Sequence, residues 1–207
     1  MVLDEKKGTS YSKGYEHLGF AGALLMDLFL NDRISFTENR IEVIDLSSTG
    51  EELLDQILED IKNSENKRSI MNWIDNLSQK DTYIYSFFDT MEQEGILKSE
   101  NSSDLNTKLF YLQKPEIKSQ FLEIIHNVVS NKKSPSIDTI CLLTLLEESK
   151  LIKIYLSRDL RKKARSRIKE SLNSERLDSL KKEMVLRIKK EIVNVIGARN
   201  MFLTDKS

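Results

Sequence analysis

His17, His126 and Cys141 are the side chains whose types best suit a general base, a nucleophile or a soft metal ligand near neutral pH. A hydroxyl or thiol nucleophile needs a base within hydrogen-bond reach, yet each histidine falls on the apolar face of an expected helix, where its role is structural. Cys141 sits inside Ile-Cys-Leu-Leu-Thr-Leu-Leu, a setting in which a thiol packs as a small hydrophobe and burial disfavours its thiolate. No pair of Cys or His residues stands at metal-ligand spacing, and no glycine-rich phosphate loop of the Walker or Rossmann kind occurs. The acidic pairs Glu51-Glu52 and Glu147-Glu148 fit helix-end charges on solvated faces. The expectation is a chain without catalytic residues, metal site or cofactor, whose work is binding.

The charge pattern is the stronger signal. Formal net charge is −1, but Lys153 to Lys190 holds 14 Lys and Arg against 5 Asp and Glu, a local balance of +9 that leaves −10 for the remainder. Within it the segment from Arg158 to Lys169 could meet phosphates, through Arg161, Lys162, Arg165 and Lys169 as a basic surface. A solvated helix face is the plainest reading, a phospholipid surface the next, and nucleic acid the last. The slightly acidic chain and the lack of aromatics among these charges argue against nucleic acid.

These residues need a scaffold, and the composition names its class. Two prolines and seven glycines in 207 residues, with Leu, Ile, Glu and Lys dominant, favour long helices in a single mainly α domain spanning 1–207. One cysteine excludes an intramolecular disulfide, and Met1 to Gly8 has no signal-like apolar core, so an intracellular chain is expected. The run from Leu18 to Leu30, interrupted by Asp27, reads as a central buried helix ended by Asn31-Asp32. Alternation about Glu38-Asn39 predicts a hairpin of Ile34 to Phe36 with Ile41 to Ile44.

Amphipathic helices follow. Ser47, Ser48 and Thr49 are candidate caps for a helix ending near Asn63, with Leu53, Leu54, Ile57, Leu58 and Ile61 inward. A second runs from Ser69 to Lys80 with Ile70, Trp73, Ile74 and Leu77 on one stripe, and a third from Tyr83 to Glu94, stopped by Gly95. Ile96-Leu97 and Leu109 to Leu112 read as two strands joined by a long loop, in the manner of a wing. Pro115 and Pro135 open helices to Ser130 and Glu148, each buried on one face. Leu160, Ala164, Ile168 and Leu172 stripe the basic segment, and a last helix, Ser174 to Ile196, carries Leu177, Leu180, Met184, Ile188, Ile192 and Val195 as a near-heptad seam.

Three stretches stand together: Gly19-Phe20-Ala21-Gly22-Ala23-Leu24-Leu25-Met26-Asp27-Leu28-Phe29-Leu30-Asn31-Asp32-Arg33-Ile34; then Ser48-Thr49-Gly50 with Leu53-Leu54-Asp55 and, further on, Asn72-Trp73-Ile74 and Leu77; then Glu94-Gly95-Ile96-Leu97. In this order they resemble the Golgi phosphoprotein 3 family. Lys163 to Glu170 is similar too, so the resemblance is colinear over residues 17–172. It implies one helical domain with a central buried helix, amphipathic helices around it and a membrane-touching hairpin. It also implies a protein that is not an enzyme. Eukaryotic members bind phosphatidylinositol 4-phosphate on the Golgi face and hold glycosyltransferases as adaptors; without their long basic N-terminal tail, this chain is more similar to the shorter prokaryotic members.

The family's headgroup pocket uses an arginine where this chain has Ala21, two more where it has Ile84 and Ser86, and a tryptophan where it offers only Tyr11, Ser12 and Tyr15. No bidentate phosphate fork is inherited at those positions. Tyr11, Lys13 and Lys80 are the remaining candidates for a headgroup. The resemblance therefore implies a cytoplasmic, peripheral membrane adaptor with an anionic phospholipid headgroup and a protein as partners, self-association being open. The alternative is a cytosolic protein-interaction module that kept the fold and lost the lipid pocket.

Overall fold

The apolar run folds as α1 (Tyr15–Leu30) in the computed structural model, which describes residues 14–64, 68–101 and 108–204. Apolar residues all round a helix require neighbours all round it. Leu18, Ala21, Leu25 and Leu28 are 0% exposed, and α3 (Ile70–Gln79), α6 (Ile137–Glu148) and α9 (Ser179–Thr204) surround them. Small residues let the neighbours come close: Gly19 faces Ser149, and Gly22 faces Leu145, Ile188 and Ile192. The helix ends at the residues the sequence pointed to. Asp32 takes a left-handed φ of 56°, with its N–H donating to the Phe29 carbonyl (3.1 Å) and that of Arg33 to Leu28 (2.9 Å), which satisfies two otherwise orphaned carbonyls.

β1 (Ile34–Thr37) and β2 (Arg40–Val43) form the expected antiparallel hairpin, with Thr37 opposite Arg40 across the Glu38-Asn39 turn. Arg33 then ties the loop after it, bonding Asp45, the Ser47 hydroxyl (2.7 Å) and the Ser48 carbonyl (3.2 Å). α2 (Glu52–Lys62) buries all five expected apolar residues, but its cap differs from the expectation. Glu51 is the N-cap without a side-chain bond, and Ser48 and Thr49 instead bond the Asp55 carboxylate, at 2.6 Å and 2.7 Å. The carboxylate reaches back to the loop, and the Ser48 hydrogen bond first of all holds it below its ordinary pKa.

α3 is capped by Ser69, whose Oγ accepts from the Asn72 N–H, and it buries its whole stripe, Trp73 included at 3% exposure. α4 (Asp81–Gln93) follows at once and ends at Gly95, whose φ of 66° lets the Ile96 N–H return to the Met91 carbonyl at 2.8 Å. β3 (Leu97–Asn101) and β4 (Lys108–Leu112) pair antiparallel and run farther into the intervening segment than sequence alternation suggested. This wing has its own small core, Leu97 and Phe110 against Phe88, Met91 and Leu112.

α5 (Pro115–Val129) starts on Pro115 as expected but buries only Ile125, Val128 and Val129. α6 is capped by Ser136 rather than opened by Pro135, and it is buried on more than one face. A short α7 (Ile152–Tyr155), absent from the sequence reading, leads into α8 (Arg158–Asn173), whose stripe of Ala164, Ile168 and Leu172 packs toward α5 and α6. The expected last helix is displaced: the chain breaks after Asn173, and α9 begins at Ser179. Leu177 therefore precedes it and Leu180 is 63% exposed, whereas Met184, Ile188, Ile192 and Val195 are buried against α1, α3 and α6. The fold is mainly α, with two small antiparallel hairpins among the described residues.

Candidate functional site

Helix α4 carries more apolar surface than its neighbours cover. Only Tyr83 is buried, and Ile84, Tyr85, Phe87, Phe88 and Met91 turn toward a groove whose other walls are α1, α5 and α6. The groove has a volume of about 1130 Å³, and Phe20, Phe121, Leu142 and Tyr155 are among the further apolar residues that line it. Phe20 and Phe87 approach at 5.2 Å between ring centroids, tilted by 50°, so aromatic contact fixes one wall against another. At its edge Tyr85 is 47% exposed, Phe121 54% and Ile124 48%, a clustering of large apolar residues that solvent alone does not favour.

The charged residues of the groove are mostly acidic: Glu16, Asp27, Asp81 and Asp138, against Lys118, with the half-buried His17 beside them. Asp27, Asp81 and Asp138 have no ion-pair partner among the described residues. Burial, followed by the negative charges of Asp138 and Glu51, raises the Asp27 pKa, since both penalise the ionised carboxylate.

Cys141 also lines this groove, 6% exposed, and burial followed by Asp138 and Asp27 pushes its thiol up to about 12. At pH 8 the native thiol will resist iodoacetamide, while the unfolded chain, with a thiol near 8.5, will be alkylated readily. Mass spectrometry with and without denaturant checks this, and rapid native alkylation would contradict the buried placement.

The histidines differ from each other. His17 Nδ1 lies 3.3 Å from the Ser78 carbonyl, tying α1 to α3, whereas His126 is exposed on α5 rather than set on an apolar face. Glu147 and Glu148 are not solvated helix-end charges. Glu148 is 8% exposed and pairs with Lys189 at 3.0 Å, and Glu147 accepts from Arg165 Nε at 2.6 Å. Among the described residues no three His, Cys, Asp or Glu side chains are grouped to hold a metal ion, and no helix is long and apolar enough to cross a membrane.

The residues singled out in the sequence fall in separate places. Tyr11 and Lys13 lie outside the described residues. Lys80 donates to Asp60 (3.1 Å) and to the Tyr83 hydroxyl (2.9 Å), and Tyr83 also bonds Asp60, so the ammonium joins α2 to α4. On α8, Lys162 and Lys169 are exposed, Arg165 is held by Glu147, and Arg161 is half-buried with an unpartnered Nε. Ala21 is in the core, while Ile84, in the groove wall, and Ser86 are half-buried. Sequence reasoning missed the groove. Its one trace is the dense Tyr83-Ile84-Tyr85-Ser86-Phe87-Phe88 run, too apolar for a helix with a single inward stripe.

The family model described as Golgi phosphoprotein 3 (GPP34) matches residues 1–192, from before α1 to within α9. No curated protein matches the chain.

Proposed function

The chain belongs to the Golgi phosphoprotein 3 family, and on that premise we propose that it is a non-enzymatic adaptor that works at an anionic membrane surface without selecting one phosphoinositide. The observation that carries the membrane part is α8. Its 16 residues hold seven Lys and Arg against Asp159 and Glu170, and it buries only Ala164, Ile168 and Leu172. Arg158, Lys162, Lys163 and Lys169 stand in solvent. Near an anionic leaflet each such cation contributes about 1 kcal/mol, a term that salt screens within about 10 Å at 0.1 M.

Headgroup selection needs more than net charge. A bidentate guanidinium fork recognises one phosphate by geometry, and Ala21, Ile84 and Ser86 supply none. Lys80 is already shared between Asp60 and Tyr83. The acidic residues of the groove oppose an anionic headgroup there as well.

Co-sedimentation with vesicles tests the reading. Phosphatidylserine and phosphatidylinositol 4-phosphate vesicles of equal total charge will bind the chain alike, neutral vesicles will not, and high salt or Lys162→Glu with Lys163→Glu and Lys169→Glu will release it. A salt-resistant preference for phosphatidylinositol 4-phosphate would overturn the proposal by revealing a rebuilt pocket. Absence of binding to every vesicle would favour a cytosolic protein-interaction module instead.

A further inference from the structure

We propose that the groove bounded by α1, α4, α5 and α6 docks one amphipathic helix of a partner protein, its apolar stripe in the groove and its lysines or arginines against the acidic side chains. The proposal deepens the adaptor reading and rests on it only for the existence of a protein partner, not for membrane contact.

Size points to a macromolecular segment. The groove's volume of about 1130 Å³ lies just above the range that small-molecule sites occupy, roughly 300–1,000 Å³. Its walls, helices together with Phe110 and Leu112 of β4, present aromatic and aliphatic side chains, the surface into which an amphipathic helix lays residues at i, i+3, i+4 and i+7. Tyr85, Phe121 and Ile124 remain about half exposed at its edge, at 47%, 54% and 48%, where a seated helix would cover them. Their present exposure leaves apolar area in water that such contact would remove.

Charge selects the kind of helix. Asp27, Asp81 and Asp138 contribute negative charge without ion-pair partners among the described residues, and Lys118 is the one Lys or Arg among the lining residues. Burial first, and then the nearby negative charges of Asp138 and Glu51, disfavour the ionised form of Asp27. A cation seated beside them offsets those charges, whereas the carboxylate of a fatty acid or a helix of acidic character adds to them. The exposed cations of α8 do not serve, since that helix contributes nothing to the groove lining.

The test uses the full chain in solution, without vesicles, and two fluorescent peptides of about 18 residues, long enough for appreciable helix. Both carry Leu and Phe at i, i+3, i+4 and i+7; one has Lys at the flanking positions and the other has Glu. Anisotropy titration will show binding of the Lys peptide and at least about tenfold weaker binding of the Glu peptide, a difference of about 1.4 kcal/mol. Asp27→Asn with Asp138→Asn will weaken the Lys peptide by a similar factor, and Phe121→Ser will weaken both. Lys162→Glu with Lys169→Glu will leave the peptides unaffected. Equal binding of the two peptides, or no binding of the Lys peptide, overturns the proposal. A dansylated fatty acid that binds where neither peptide does would assign the groove to an acyl chain and overturn it equally. Because no membrane is present, failure here leaves the vesicle result untouched, and loss of vesicle binding leaves this one untouched.

Discussion

Gly22→Leu will lower the unfolding free energy by about 3 kcal/mol or more, the upper end of the cost of overpacking a core. For a chain of this size the melting temperature will fall by roughly 6–12 °C. The reason is visible before any side chain longer than a methyl is added. A Cβ built on Gly22 would stand 2.7 Å from Leu145 Cδ2, 3.0 Å from Ile192 Cδ1 and 3.2 Å from Ile188 Cγ2. These atoms belong to α6 and α9, so the new side chain must push two helices from α1 at once. Ile188 and Ile192 are both 0% exposed and have no solvent to retreat into. Gly197→Ala is the matched control, because a Cβ there meets nothing within 4 Å and α9 gains helix propensity of up to about 1 kcal/mol. Denaturant melts followed by circular dichroism make the comparison. An unchanged midpoint for Gly22→Leu would remove the basis for a closely packed α1.

Trp73→Ala carries the second large effect, a loss of about 3–5 kcal/mol, from a bulky side chain removed and a cavity left behind. The indole is 3% exposed on α3, which packs on both α1 and α9, and Arg68 lies over its ring at 5.3 Å from the centroid. The helix keeps its Ser69 cap in the variant, so the loss reports packing rather than fraying. Since this is the sole tryptophan, far-ultraviolet dichroism follows the transition. A variant of normal stability that had lost vesicle or peptide binding would show instead that Trp73 is a recognition residue.

The helices themselves were legible because a helix writes its inward face into the chain at local spacing. The stripes Leu53, Leu54, Ile57, Leu58, Ile61 and Ile70, Trp73, Ile74, Leu77 are buried as that periodicity requires. Stops were legible for the same reason: Asn31-Asp32 and Gly95 act on the backbone within one turn. The colinear motifs that resembled the family agree with the match over residues 1–192. The sequence also showed that cationic charge gathers late in the chain, since a count along the chain needs no geometry.

Exposure was decided by elements distant in sequence. Phe87, Phe121 and Ile124 sit on helices that the sequence predicts, yet the helices that pack on α1 leave a gap between α4 and α5, and these side chains stay at its edge. Leu180 fits a heptad seam but stands in solvent, because the chain breaks before Ser179 and the packed part of α9 begins at Met184. Glu148 has the composition of a solvated helix end and is buried because α9 brings Lys189 to it. Four carboxylates separated by as many as 122 positions, Glu16 to Asp138, meet at one groove only when α1, α4 and α6 are assembled. Periodicity specifies which face of a helix is apolar, a property of neighbouring residues. Whether another helix covers that face depends on long-range packing, and no local pattern encodes it.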